Sequence, residues 1–195
     1  MITRRPAIVA MLFALLAVAG CTTTQPRYYL MSPVTPAKTA PAAERLTLGV
    51  GPVQLADYLQ RANLVTRTSS SRIHVATHDK WGATLDTHVS EVLAEDLRLR
   101  LGLSGVQVYP WQPGIRIDIQ VTAEITRFIL DGDTVYLDAR WLARGPGLDG
   151  VIEGSSRIAE PSGPDYDEIV DAMSRATGRL ADDIATALRR RSKQS

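Results

Sequence analysis

Cysteine is nearly missing from this 195-residue sequence, which holds Cys21 and no other. One thiol excludes an intrachain disulfide framework and is too few for a Cys-rich zinc site. An excess of either charge is missing too, with 22 Lys+Arg against 21 Asp+Glu and no basic block longer than Arg189-Arg190-Arg191. Binding a phosphate backbone needs a concentrated positive surface, so no nucleic-acid partner is expected. Aromatic residues make up only 6% of the chain. The longest uncharged apolar run, Ala7 to Gly20, has 14 residues, short of the roughly 20 that cross a bilayer. Against these absences stand 45% hydrophobic and 22% charged residues, a balance that suits one globular domain.

Residues 1–20 have the layout of a secretory signal: Arg4 and Arg5 come first, then the apolar run, then small residues. Thr3-Arg4-Arg5 resembles the start of a twin-arginine signal, but Pro6-Ala7-Ile8 departs from its usual continuation, so general secretion is expected. Val18-Ala19-Gly20-Cys21 resembles a bacterial lipobox. That resemblance implies cleavage before Cys21, a diacylglycerol on its thiol and an N-acyl chain on the new terminus, with no other cofactor. The mature protein would then be anchored to a membrane without spanning it. Thr22 stands where an Asp commonly retains such proteins at the inner membrane, which by the same resemblance favours the periplasmic face of the outer membrane. The lipidated Cys and a Thr/Pro/Ala-rich tether are expected over residues 21–45. Pro26, Pro33, Pro36 and Pro41 favour extended chain there, able to reach about 70 Å at about 3.1 Å per residue. Within that tether Arg27-Tyr28-Tyr29-Leu30 reads as a short strand docked on the body, or else as an aromatic contact with a membrane or partner.

Residues 46–190 carry the body and 191–195 a tail. Leu46 to Val53, Leu64 to Arg67, Ile73 to Ala76 and Val106 to Tyr109 read as strands. Leu85, Val89, Val92, Leu93, Leu97 and Leu101 share one face of a helix that stops at Gly102. From Ile115 to Thr126 apolar and polar residues alternate, the period of a strand with one wet face. Asp131-Gly132-Asp133 turns the chain into a return strand through Trp141, and Val151 to Ala159 supplies a third. Asp165 and Glu168 form a capping box for a second long helix through Leu188. The fold class is therefore α/β (α+β): a single domain whose mixed sheet has a C-terminal antiparallel meander and is packed by two long amphipathic helices.

Chemistry is sparse. Gly49-x-Gly51 lacks the third glycine and following helix of a dinucleotide loop. His74 and His78, followed by Asp79, fall on strand and loop rather than on one helix face, and no metal site is expected. His88 reads as a surface or half-buried histidine. Ser69-Ser70-Ser71 has no nucleophile elbow around it. Glu95/Asp96 and Asp182/Asp183 are adjacent on helices, point apart, and read as solvated faces. No catalytic residue is assigned. Trp141 belongs to the core register, and Trp81 either staples the first helix to the sheet or meets a partner.

Several landmarks occur in a familiar order: Val18–Cys21, Tyr28-Tyr29-Leu30, Gly49-Val50-Gly51-Pro52-Val53 with Leu55, Asp57-Tyr58-Leu59 and Arg61, Val65-Thr66-Arg67, Trp81 with Leu85, Ala94–Leu97, Arg127-Phe128 and Trp141. Together they resemble the ABC-type transport auxiliary lipoproteins of the PqiC kind. Ala56, Ala62 and Ala83-Thr84 depart from that pattern, where prolines and Glu-Pro are expected. The resemblance implies a non-enzymatic subunit that works with an MCE-domain periplasmic protein (PqiB-like) in an intermembrane transport system for lipids or other hydrophobic molecules. It also makes a homo-oligomer plausible. The turn around Gln54, Asp57, Tyr58 and Arg61, together with Trp81, is the expected partner-binding region, because core packing alone does not account for it. The alternatives are a stand-alone lipid-binding carrier and, from a third class, an envelope hydrolase with an unfamiliar site.

Overall fold

A computed structural model describes residues 24–36 and 44–192. The expected signal segment 1–20, Cys21, and most of the tail 191–195 lie outside the described residues. In chain order the elements are β1 (Arg27–Tyr29), β2 (Glu44–Leu55), a 3-10 turn (Asp57–Leu59), β3 (Asn63–Ser69), β4 (Arg72–Trp81), α1 (Leu85–Leu101), β5 (Leu103–Val108), β6 (Ile119–Asp131), β7 (Thr134–Arg144), β8 (Ile152–Pro161) and α2 (Tyr166–Ser192).

The eight strands form one open, mixed sheet. β6 is its axis. One edge of β6 pairs antiparallel with β7, which pairs with β8 to complete the meander. The other edge is shared between β2 over residues 119–125 and β3 at Leu130 and Asp131, both parallel to it. β5 extends the sheet beyond β2, and β4 then β1 extend it beyond β3. Both helices cover one face, where Leu48, Val50, Val89, Leu93, Leu97, Val121, Ile125, Phe128, Leu137, Leu180 and Ile184 are buried. The other face carries the polar members of each alternation. No described helix is long and apolar enough to cross a membrane.

The elements follow local chemistry. α1 stops at Gly102, whose φ of 68° suits the left-handed C-cap, and its N–H donates to the Arg98 carbonyl. At the start of α2 one half of the expected capping box is present: the Asp165 N–H donates to Glu168 Oε2 at 3.3 Å. β6 departs from its sequence pattern at both ends. A bulge at Thr126, between the pairs Ile125–Ala139 and Arg127–Asp138, moves the buried positions from Val121, Ala123 and Ile125 to Phe128 and Leu130. The alternation therefore breaks at Thr126 although the strand runs on to Asp131. Residues 115–118 precede the strand rather than begin it. There Asp118 closes onto Thr47, its Oδ2 accepting the Thr47 N–H at 2.9 Å and its own N–H donating to the Thr47 carbonyl.

Within the stretch read as a tether, Arg27-Tyr28-Tyr29 forms the docked strand that its residues suggested, and the chain is tied to the body as far as Val34. β1 pairs parallel with β4, placing Arg27 opposite Asp79 and Tyr29 opposite Trp81. The Tyr29 hydroxyl donates to Asp79 Oδ1 at 2.9 Å, and burial pushes its pKa up to about 12. Met31 is buried, and the Ser32 N–H donates to Ser174 Oγ at 3.2 Å. The Val34 N–H donates to Asp96 Oδ1 at 2.9 Å, and the Val34 carbonyl accepts from Arg100. The prolines oppose helix here, while the residues between them keep backbone groups that bond across to the sheet and helices.

The adjacent acids do point apart, yet they are not simply solvated. Glu95 pairs with Arg98 at the surface, while Asp96 is fully buried against Arg100 at 2.9 Å. Asp182 binds Arg100 from α2 at 2.6 Å, and Asp183 accepts the Ser156 hydroxyl at 2.6 Å. His88 is buried rather than at the surface, and burial lowers its pKa.

Candidate functional site

β2 carries Leu48 and Val50 into the core, passes a register shift at Gly51-Pro52, and resumes with Val53 and Leu55 buried and Gln54 on the open face. The chain then has to leave β6 and rejoin it farther along as β3. The 3-10 turn makes that step. Its anchors are backbone bonds: Ala56 N–H to Ile125 O, Leu59 N–H to Ala56 O and Arg61 N–H to Leu59 O. The Gln60 amide adds a bond to the Leu55 carbonyl at 2.9 Å, and Leu59 is buried beneath the turn. Asp57 and Arg61 are thereby held exposed on a turn that is itself fixed to the sheet.

Opposite this turn begins α1. Between them lies a groove of about 910 Å³, walled by Gln54, Asp57, Gln60 and Arg61 on one side and Thr84, Leu85 and Asp86 on the other, with Trp81 also lining it. The Trp81 N–H donates to the Ala62 carbonyl at 2.7 Å, which fixes β4 to the end of the turn. Trp81 is only 6% exposed and meets the His88 ring of α1 edge-on at 5.9 Å. It is therefore the staple between helix and sheet, and it supplies an apolar wall rather than a protruding anchor.

Of the five expected contact residues, Gln54, Asp57, Arg61 and Trp81 meet in this groove. Tyr58 does not line it. Its side chain is half-buried among Arg127, Arg67 and Asp138, and burial raises its pKa. Gln60, Thr84 and Asp86 also line the groove, and of these only Gln60 falls within the Gln54–Arg61 turn expected from the sequence. The first turn of α1 offered a signal for the last two, since a helix start opposite an exposed turn makes a cleft.

Gln54 also borders a second depression, of about 620 Å³, on the open face of the sheet with Glu124, Arg140, Leu142 and Glu153. There Arg140 pairs with Glu124 at 3.2 Å. Both hollows combine charged side chains with a substantial apolar lining. Among the described residues no three His, Cys, Asp or Glu side chains stand close enough to hold a metal ion. His74 and His78 are exposed, and Asp79 is engaged by Arg27 at 2.7 Å and by Tyr29.

Comparison with known proteins agrees with this architecture. A solved structure of an uncharacterised protein superposes with a TM-score of 0.69 at 21% identity, covering 85% of this chain and 99% of the other. A Xanthomonas campestris protein assigned to the DUF330 family gives a TM-score of 0.67 at 13% identity, covering 87% of this chain and 100% of that one. At these identities the likeness is one of fold. No curated protein matches the chain. The model of the ABC-type transport auxiliary lipoprotein component, a class of transport accessory proteins rather than enzymes, matches residues 28–185, from within β1 to within α2. The chain belongs to the ABC-type transport auxiliary lipoprotein family.

Proposed function

We propose that the protein is a lipid-anchored periplasmic subunit of an MCE/ABC-type intermembrane transport system like PqiABC. Acylated on Cys21, it docks the transporter at the outer membrane, where lipids or other hydrophobic molecules move and envelope integrity depends on them. The observation that carries the docking role is the groove in which Gln54, Asp57 and Arg61 face the start of α1 over Trp81. Its rim charges stand on backbone fixed to the core, so little ordering cost opposes binding. The MCE-domain protein is the partner of choice, because it is the component that bridges the envelope in systems of this kind.

The space under helix and sheet does not favour a stand-alone carrier whose acyl chain would lie there. The space bounded by Leu59, Leu64, Trp81, Phe128, Ile169 and Met173, under helix and sheet, measures about 10 Å³. That is at most the room of one water molecule, and an acyl chain needs many times more.

The test is affinity capture of the full-length lipoprotein from gently solubilised envelopes, with mass-spectrometric identification of what accompanies it. An MCE-domain protein is expected with the wild type. The double variant Asp57→Arg/Arg61→Glu should lose that partner at least about tenfold, while exposed substitutions of this kind change stability by only about 0.5 kcal/mol. Recovery of the lipoprotein alone with stoichiometric lipid would instead establish the carrier.

A further inference from the structure

The two most exposed large apolar side chains of the described chain are also the two nearest the anchor. Tyr28 and Leu30 are each 64% exposed, ahead of Tyr109, Val151, Ile73 and Val75. They alternate with the buried Tyr29, whose hydroxyl reaches Asp79 and whose ring lies 6.1 Å from Tyr166 of α2, so both project on the side away from the helices. Leu30 lies against Gly82, where even a Cβ would meet its Cδ2 at 2.7 Å.

Chain length sets how far this edge can stand from a membrane. Cys21 precedes Thr24 by three residues and Arg27 by six. At no more than about 3.6 Å per residue, Cys21 lies within about 11 Å of Thr24 and about 22 Å of Arg27. β1 docks on the sheet at Arg27, so the free chain between Cys21 and the body ends at Pro26, well short of the expected reach of about 70 Å. β1 also enters the sheet from the end at which β4 carries Ile73 and Val75, which are exposed as well.

We propose that this edge of the sheet lies on the phospholipid bilayer, with Tyr28 and Leu30 seated in the interfacial zone beside the acylated Cys21. A tyrosine has the apolar ring and polar tip that this zone favours, and leucine adds apolar area next to it. Neither a wide hydrophobic face nor deep insertion is needed, since the acyl chains already hold the protein at the surface and the contact only orients it. Orientation matters to the docking role, because it fixes which way the groove by Trp81 faces. This proposal rests on the lipid-anchored reading above.

The test uses the acylated full-length chain in vesicles of phosphatidylethanolamine and phosphatidylglycerol containing brominated acyl chains. With Cys21 acylated, Tyr28→Cys or Leu30→Cys supplies the sole free thiol for an environment-sensitive fluorophore, and Glu153→Cys on β8 is the reference. Both side chains stand well out of the core, and thermal unfolding of each labelled variant checks that the fold persists. Quenching by brominated lipid at positions 28 and 30 at least about twofold above that at 153 is expected for interfacial burial. A protein that floats with the vesicles but leaves all three labels equally open to aqueous iodide would overturn the contact and keep the anchor. Shielding from iodide without lipid quenching, relieved when protein is diluted among more vesicles, would overturn it in favour of a second copy. Failure to float at all would overturn both the contact and the anchored reading.

Discussion

Asp96 is a fully buried acid held by Arg100 and by the Val34 N–H. With none of its surface exposed, desolvation pushes its pKa up to about 6, against the opposing pull of Arg100 and the Val34 N–H. A raised folded-state pKa adds stability below the unfolded value near 4 and loses it as pH rises through about 6. Wild type should therefore gain up to about 3 kcal/mol relative to Asp96→Asn between pH 7 and pH 4, the free energy that separates a carboxyl titrating near 6 from one titrating near 4. Urea unfolding of both proteins at the two pH values measures this, and an unchanged difference would refute it. Glycine at 154 is a second single-residue constraint. Gly154 lies opposite Trp141, and a Cβ there would collide with the indole, whose Nε1 donates to Ser156. Gly154→Ala should cost about 1–3 kcal/mol by overpacking, seen as a lower midpoint of thermal unfolding. Gly105→Ala, where the new Cβ would make only ordinary contacts with Thr47, should be close to neutral. Neither constraint was legible beforehand. An acid and an arginine four apart on a helix read the same whether they face water or core, and only the arrival of Val34 and α2 distinguishes them. Trp141, by contrast, was readable, because the alternation of its strand placed it inside.

At the scale of elements, periodicity succeeded where an element packs on one side only. α1, α2 and the meander follow their apolar spacing, and the turn at Gly132-Asp133 joins β6 to β7 as expected. It failed where two elements share a register with an interruption. Thr126 inserts an extra residue into β6, so a strand with two successive alternations looked like one that stopped. Residues 115–118 alternate, yet their backbone is used to close onto Thr47. The β1 segment was legible as a docked strand at Arg27-Tyr28-Tyr29-Leu30, but the ties that hold the chain after it were not. The prolines and threonines of this stretch report only that it is not helical, whereas its stability comes from partners far along the chain: Asp79, Asp96, Arg100 and Ser174. Val34→Pro should release it, since proline removes the N–H that Asp96 accepts and leaves that carboxylate without one partner. Faster tryptic cleavage after Arg27, with α1 and α2 still protected, is the expected result. Unchanged cleavage would mean that β1 alone holds the segment.

At the scale of the molecule, an open sheet with both helices on one face leaves the opposite face and the β2–β3 crossover free for other proteins. Gln54, Asp57 and Arg61 converge at that crossover because a strand that must leave and rejoin its neighbour needs a turn, and a turn pinned to the sheet exposes its polar residues; Trp81 reaches the same groove from β4. Tyr58 does not join them, since the short 3-10 turn sends successive side chains to different sides. Family membership could be read from the order of motifs along the chain. The groove could not, because half of its wall comes from the start of α1. The docking role of this groove is tested most directly by site-specific photocrosslinking in intact envelopes, with the photoreactive side chain at Gln54 or Arg61 and, as reference, at Arg157 on the exposed side of β8. Crosslinks from 54 and 61 to an MCE-domain protein, with little from 157, are expected. Crosslinks to that protein from 157 and none from the groove would contradict the assignment.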